Sequence, residues 1–76
     1  MARVLVVDDE PKLGKFVAQA LELAGHDVTR ATAGRDALAH LDRQRFEVVI
    51  TDLRMPDVDG LAVLKAARAI SDGPPE

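Results

Sequence analysis

Two strongly apolar runs, each followed directly by aspartate, constrain the fold of this chain more than any other feature. Residues 4–7 read VLVV and are followed by Asp8 and Asp9, while residues 46–51 read FEVVIT and are followed by Asp52. Short runs rich in β-branched residues are typical of strands that are buried on both faces, as in a parallel sheet. The sequence therefore predicts two central strands that each end in a carboxylate.

An amphipathic helix is predicted after the first of these strands. Pro11 is suited to the first position of a helix, and apolar residues recur after it with helical spacing. These residues are Leu13, Phe16, Val17, Ala20, Leu21 and Ala24. Gly25 follows them and can adopt the left-handed conformation with which many helices end.

The rest of the chain completes three strand–helix units. Residues 27–31 favour a strand, residues 34–44 a second helix and residues 61–70 a third helix. Residues 71–76 contain Gly and Pro, which predicts a turn-rich segment rather than more helix. Strands that alternate with helices indicate βαβ units with right-handed crossovers and a parallel sheet.

The aspartates that follow the apolar strands form a candidate site. If the two strands are neighbours, Asp8, Asp9 and Asp52 converge at one edge of the sheet, where ligands bind in such folds. Adjacent carboxylates repel one another, and a cation that prefers oxygen ligands, such as Mg²⁺, would compensate them. A carboxylate can also act as a nucleophile and become an aspartyl phosphate. The alternative is that each aspartate caps the helix or turn after its strand.

The composition excludes several classes of function. A length of 76 residues allows at most one small domain, and the absence of cysteine excludes disulfides and thiolate metal sites. With a net charge of −3 and two Phe as its aromatic residues, the chain offers no surface for nucleic acid. The sequence shows neither a secretory pattern nor an apolar run of membrane-spanning length. We therefore expect a cytoplasmic protein without direct membrane or nucleic-acid binding.

Two motifs resemble those of the receiver domains of two-component response regulators. Residues 4–10, VLVVDDE, are similar to the opening of such domains, and residues 52–60, DLRMPDVDG, are similar to their phosphoacceptor segment. The resemblance covers the whole chain. It implies an α/β fold, the flavodoxin-like doubly wound parallel sheet of chemotaxis regulators, with strand order 2-1-3-4-5. Residues 1–76 would be a partial receiver domain, truncated after the third βα unit, with strand order 2-1-3 and strands 4 and 5 absent.

The resemblance also implies a function and a set of site residues. Asp52 would accept a phosphoryl group from a sensor histidine kinase, in a signalling domain of transcription regulation rather than a turnover enzyme. Asp9, Asp52 and the backbone carbonyl of Arg54 would bind Mg²⁺ or Mn²⁺, and Asp8 would act through a metal-bound water. The switch Thr or Ser of the fourth strand and the phosphate-pairing Lys of the fifth would be missing. Little phosphorylation of residues 1–76 by themselves is therefore expected.

Two other classes of function stay open. An aspartyl-phosphate phosphatase or phosphotransferase would also use a nucleophilic aspartate, but such enzymes typically carry a second Asp two residues later, where this chain has Arg54. Alternatively, the chain is an interaction module that associates with itself. The strand from Phe46 to Thr51 would be an unpaired edge, with which a second copy could pair. Because a covering helix would be missing, apolar surface of the Leu5 or Val7 type is expected to be open to water.

Two further aspartates lie in the loop of the second motif. Asp59 precedes the apolar pattern of the third helix and is predicted to cap its first turn. Asp57 is interpreted as a solvated surface residue, with a contact to a kinase as the alternative.

Overall fold

Three strands and three helices alternate along the chain, as the sequence pattern predicts. The computed structural model describes residues 1–72, and the side chains of residues 1–69. In chain order, the elements are β1 (Arg3–Val7), α1 (Pro11–Leu23), β2 (Asp27–Ala31), α2 (Gly34–Arg43), β3 (Val48–Thr51) and α3 (Gly60–Asp72). Among the described residues, none of the helices combines the length and the apolar character that crossing a bilayer requires.

The strands form one sheet in the order β2-β1-β3. Both pairings are parallel, so Leu5 lies opposite Thr29 on one side and Val49 on the other. Residues 1–72 contribute no fourth or fifth strand to this sheet. The α/β class and the strand order 2-1-3 predicted from the sequence are therefore confirmed.

One face of the sheet is closed by α2 and α3. The core on this face joins Leu5 and Val7 of β1 to Ala37 and Leu41 of α2 and to Val63 of α3. All five side chains are buried. The helical spacing of Ala37 and Leu41, four residues apart, places both on the side of α2 that faces the sheet.

The other face of the sheet carries α1, which packs against β1 and β2. Val48 and Ile50 of β3 lie opposite Val4 and Val6, and therefore on the α1 side, but they remain 43% and 40% exposed. Since α1 does not extend over β3, apolar surface is left open there.

The apolar surface open to water is therefore not of the type expected from the sequence. Leu5 and Val7 are only 0% and 1% exposed. They point towards α2 and α3, because side chains alternate between the two faces along a strand. The expectation that Leu5 or Val7 would be open to water is wrong, and Val48 and Ile50 hold that position instead.

The third strand is shorter than predicted. It begins at Val48 rather than Phe46, although the Glu47 N–H still donates to the Arg3 carbonyl oxygen at 2.8 Å. The Arg3 N–H donates in turn to the carboxylate of Glu47 at 3.1 Å, not to a backbone carbonyl. A side chain thus takes the place of one ladder hydrogen bond, and the regular strand starts after it.

The helix ends follow the predicted signals closely. Pro11 opens α1, and Gly25 after it has the left-handed φ of +93°. Asp59 caps α3, since its Oδ1 accepts the Ala62 N–H at 2.8 Å. This helix continues to Asp72, so residues 71 and 72 are helical instead of turn-rich. The Gly and Pro residues that oppose a helix begin only at position 73, and residues 73–76 of the predicted turn lie outside the described residues.

Candidate functional site

The carboxylates of Asp8, Asp9 and Asp52 come together where β1 and β3 end. One carboxylate oxygen of each residue lies within 4.8 Å of those of the other two. Asp8 is half-buried, whereas Asp9 and Asp52 are exposed. The convergence predicted from the order of the strands is confirmed, while the chemistry of the cluster stays a prediction.

Backbone hydrogen bonds of the sheet place two of these aspartates. The Asp8 N–H donates to the Ala31 carbonyl oxygen, and the Asp52 N–H donates to the Val7 carbonyl oxygen, both at 3.0 Å. Each bond continues the ladder of the parallel strands by one residue beyond the last strand residue. Because β1 is the central strand, its end lies directly beside that of β3. The sheet itself therefore holds the carboxylates near one another.

Local N–H groups orient the two side chains. Asp8 Oδ1 accepts the Glu10 N–H at 2.8 Å, and Asp52 Oδ1 accepts the Arg54 N–H at 3.3 Å. Such bonds to a residue two positions later are usual for aspartate in turns. The interpretation of these residues as caps therefore holds for the turns after the strands. It does not hold for α1, because the N-cap of that helix is Glu10 and no side chain caps it.

The donor set of the cluster fits a hard divalent cation. Carboxylate oxygens are the ligands that Mg²⁺ prefers, and it needs only one or two of them when phosphate oxygens complete its shell. Within residues 1–69, this is the group of His, Cys, Asp or Glu side chains that is close enough together to share an ion. Bringing three carboxylates together has an electrostatic cost that a cation would offset.

Two open clefts lead to the cluster. One of about 420 Å³ reaches Asp9 and is bordered by Arg35 at the start of α2 and by Pro56 and Asp57 in the β3–α3 loop. The other, of about 280 Å³, reaches Asp8 and Asp52 from the α1 side of the sheet. Both clefts are open to solvent, so the carboxylates are accessible from both sides of this sheet edge.

The loop after Asp52 closes tightly on the strand end. The Gly60 N–H donates to the Leu53 carbonyl oxygen at 3.1 Å. A Cβ atom at position 60 would collide with the Asp52 carbonyl oxygen. Glycine is therefore required at this position by the close approach of the two backbone segments, and it helps to fix the backbone of Asp52.

Asp57 has a role that the sequence analysis missed. Its Oδ1 accepts the Gly34 N–H at 3.0 Å, and its Oδ2 accepts the Arg35 N–H at 2.9 Å. These bonds stabilise the charged form, and the bond from the Arg35 N–H contributes most to holding the pKa of Asp57 below its ordinary value. Asp57 is exposed, as expected, but it is bound to the first turn of α2 and is not only solvated.

A signal for this contact is present in the sequence. The residue before α2 is Ala33, which has no side-chain oxygen and makes no cap. The first N–H groups of a helix need partners outside the helix. A helix with an alanine N-cap therefore points to an acceptor elsewhere in the chain, and Asp57 supplies it. Identifying that acceptor requires the fold, since 23 residues separate Asp57 from Gly34.

Comparisons with known proteins agree with this fold and site. Residues 4–75 match the family described as response regulator receiver domain. The chain is 46% identical over 72 residues to the probable transcriptional regulatory protein TcrX of Mycobacterium tuberculosis, which corresponds to 95% of this chain and 31% of TcrX.

Solved structures of similar proteins cover almost the whole chain. The chemotaxis response regulator CheY4 of Vibrio cholerae is 42% identical with a TM-score of 0.86, over 93% of this chain and 59% of CheY4. The response regulator protein TrrA of Thermotoga maritima, solved in complex with Mg²⁺–BeF, is 33% identical with a TM-score of 0.86, over 95% of this chain and 63% of TrrA. The chain thus spans less than two thirds of each of these relatives. The family match, the sequence identity and the shared fold show that it belongs to the response regulator receiver domains.

Proposed function

We propose that this chain is a phosphoacceptor domain, in which Asp52 takes a phosphoryl group from a sensor histidine kinase in the presence of Mg²⁺. The observation that carries the proposal is the meeting of three carboxylate oxygens within 4.8 Å of one another at the strand ends. The transcriptional regulatory relatives support a signalling role rather than substrate turnover. A cytoplasmic location, expected from the sequence, is part of the proposal.

Each site residue is assigned the role that the sequence resemblance implies. Asp9, Asp52 and the backbone carbonyl of Arg54 would hold Mg²⁺ or Mn²⁺, and Asp8 would act through a water molecule on the metal. When bound, the ion neutralises negative charge on the phosphoryl oxygens. The complex of the relative TrrA with Mg²⁺–BeF supports this choice of metal.

In the proposed transfer, a carboxylate oxygen of Asp52 attacks phosphorus and forms an O–P bond. The other ring nitrogen of the kinase phosphohistidine first takes a proton from water. The P–N bond then breaks, its electron pair stays on the ring nitrogen that held phosphorus, and the leaving group is neutral imidazole. The Arg54 N–H holds the Asp52 carboxylate in one orientation at 3.3 Å. Holding the nucleophile in place lowers the entropic part of the barrier.

An aspartyl-phosphate phosphatase or phosphotransferase is the less favoured alternative. The position two residues after Asp52 is Arg54, whose side chain is exposed. A guanidinium cannot act as the second carboxylic acid that such enzymes use, because it stays protonated in proteins.

Intact mass spectrometry after treatment with acetyl phosphate and Mg²⁺ tests the nucleophile. In the receiver with all five strands, we expect one phosphoryl adduct that Asp52→Asn abolishes, that chelation of the metal abolishes, and that the matched change Asp42→Asn leaves intact. Asp42 is exposed on α2 and takes no part in the cluster. Residues 1–76 alone should give little adduct, since the switch hydroxyl and the lysine are missing by resemblance. An adduct that persists in Asp52→Asn would refute the assignment.

Titration of residues 1–76 with Mg²⁺, followed by amide NMR shifts, tests the metal ligands separately. Binding in the millimolar range is expected, because few protein ligands are offered. Asp9→Ala should remove most of the shift changes. An unchanged titration curve in Asp9→Ala would show that the metal site is placed wrongly.

We also propose that residues 1–76 associate with a second copy through β3. Within residues 1–72 no strand pairs with the outer edge of β3, and its sequence, VVIT, has none of the charged or proline residues that protect edge strands. Two copies related by a two-fold axis perpendicular to the sheet would pair these strands antiparallel about Val49. Val48 of each copy would then lie opposite Ile50 of the other, and Glu47 opposite Thr51, so no like charges would meet.

Analytical ultracentrifugation over a range of micromolar concentrations tests the association. The wild-type chain should form dimers, and Val48→Lys should shift it to monomers by placing a charge in the contact. Leu23→Lys is the matched control, since Leu23 is 90% exposed on α1 and lies outside the contact. A wild-type chain that stays monomeric throughout would contradict the proposal.

A further inference from the structure

The contact between Asp57 and α2 links the candidate site to a helix that supplies none of its carboxylates. Both carboxylate oxygens of Asp57 are engaged, one by the Gly34 N–H at 3.0 Å and one by the Arg35 N–H at 2.9 Å. No side chain caps α2 from its own N-cap position. Asp57, in the β3–α3 loop, therefore caps a helix that begins 23 residues earlier in the chain.

The same loop is held against α2 by close packing. An added Cβ at Gly34 would lie 2.5 Å from the Cβ of Val58 and 2.6 Å from its carbonyl oxygen. Val58 in turn packs against the buried core under α2 and α3. Since no atom can be inserted between the start of α2 and Val58, the bonds of Asp57 act across a contact that is already tight.

The other end of the loop touches the candidate site. The Arg54 N–H donates to Asp52 Oδ1 at 3.3 Å, and the Gly60 N–H closes the loop on the Leu53 carbonyl oxygen at 3.1 Å. The segment between these bonds has no other described hydrogen bond to the sheet. The position of the Arg54 backbone is therefore set on one side by the hydrogen bond between Gly60 and Leu53, and on the other side by the hydrogen bonds of Asp57 to α2.

We propose that Asp57 is a positioning residue, which fixes the Arg54 backbone relative to the Asp52 carboxylate by tying the loop to the first turn of α2. The inference rests on the proposed function, in which the Arg54 carbonyl is a metal ligand. It adds that metal affinity depends on a side chain that does not touch the metal. Coupling between two sites is reciprocal, so metal binding should also strengthen the contact of Asp57 with α2.

Mg²⁺ titration of residues 1–76, followed by amide NMR, tests this inference in three variants. Asp57→Ala should weaken binding about three- to tenfold, less than the roughly 10–100-fold typical of groups bonded directly to a metal ligand. Asp57→Asn should recover part of the affinity, because its amide oxygen can still accept one N–H. The control Asp42→Ala removes the same charge from an exposed position of α2 outside the cluster and should stay within about twofold of wild type.

The wild-type titration provides a second readout that needs no substitution. The amide signals of Gly34 and Arg35 should shift together with that of Arg54 and saturate at the same Mg²⁺ concentration. A merely structural cap would leave the Gly34 and Arg35 signals unchanged, which would overturn the inference, as would wild-type affinity in Asp57→Ala. If the wild-type chain binds no metal, the proposed metal site is wrong and the inference falls with it. If the wild-type chain binds metal and Asp57→Ala binds it equally tightly, the proposed function stands and only this inference is refuted.

Discussion

The two faces of the sheet use similar residues but reach different degrees of burial. On the α2–α3 face, Leu5, Val7 and Val63 are at most 1% exposed, whereas Val48 and Ile50 on the α1 face are 40% exposed or more. The β3 sequence VVIT contributes apolar side chains to both faces. The difference shows that coverage by helices, and not the composition of the strand, decides which side chains stabilise this chain. Val4 and Val6 of β1 are buried on the α1 face as well, so the poorly covered part of that face is confined to β3.

Leucine-to-alanine substitutions, one on each face of the sheet, should give the largest difference in the free energy of unfolding. Leu5→Ala removes a fully buried side chain and should lower the free energy of unfolding by about 2–5 kcal/mol. Leu13→Ala, at a position that is 52% exposed on α1, should cost less than about 1 kcal/mol. Urea unfolding followed by circular dichroism measures both. Since a small domain has only about 5–15 kcal/mol of stability in total, Leu5→Ala could leave the chain largely unfolded. Equal costs at the two positions would contradict the contrast between the faces.

Glycines give a second, smaller contrast between the faces. Gly34→Ala should lower the free energy of unfolding by about 1–3 kcal/mol through overpacking, because its Cβ would meet Val58 at 2.5 Å. At Gly14 on α1, the nearest atom to an added Cβ is the Cβ of Asp8, at an ordinary 3.5 Å. Gly14→Ala should therefore gain up to about 1 kcal/mol from helix propensity. Thermal unfolding of both variants checks the signs, and a stabilised Gly34→Ala would show that the loop is not tightly packed on α2.

The architecture was predictable because local signals agreed with one another. The apolar runs, the helical spacing after Pro11 and the glycine at position 25 all indicated the same alternating order, and that order brought Asp8 and Asp52 to one edge. Each of these signals depends on residues that are close in sequence. The family resemblance added the order of the strands, which local patterns do not contain.

The features that were missed depend on contacts distant in sequence. The face towards which Leu5 points is set by the register with Val49 and by the helices above, so the exposed surface was assigned to the wrong residues. The role of Asp57 required knowing that its loop lies against the start of α2. Likewise, Glu47 shortened the third strand by accepting the Arg3 N–H with its side chain, a competition that strand propensity does not describe.

The pH dependence of the melting temperature should distinguish the N-terminus of α2 from that of α1, which lies on the opposite face of the sheet. The pKa of Asp57 is lowered below the ordinary 3.8 by hydrogen bonds, first that from the Arg35 N–H. Its contribution is therefore fully present above 3.8 and is lost as the pH falls through the lowered folded-state pKa. Asp57→Asn should lower the melting temperature at neutral pH, and its difference from wild type should shrink in acid.

Glu10→Gln provides the control for this pH dependence. Glu10 is the N-cap of α1, but its side chain makes no cap bond, so the change removes a carboxylate without removing such a bond. Melting temperatures recorded from neutral pH to below 3.8 compare the variants. A difference between wild type and Asp57→Asn that is constant across this range would mean that the charge of Asp57 does not contribute through the cap.

The smallest expected effect is that of Val48→Thr, which is compared with the same substitution at the adjacent position Val49 of β3. Val49 packs against the core of the α2–α3 face, so Val49→Thr buries a hydroxyl group and should cost about 1–3 kcal/mol. Val48 is 43% exposed on the α1 face, and Val48→Thr should stay within about 0.5 kcal/mol of wild type in dilute solution. At higher concentration the cost of Val48→Thr should change, because association through β3 stabilises the folded chain by mass action and places Val48 opposite Ile50 of the second copy. The cost of Val48→Thr in urea unfolding should then rise with protein concentration. A Val48→Thr cost that is as large as that of Val49→Thr even in dilute solution would mean that the α1 face is already covered within one chain.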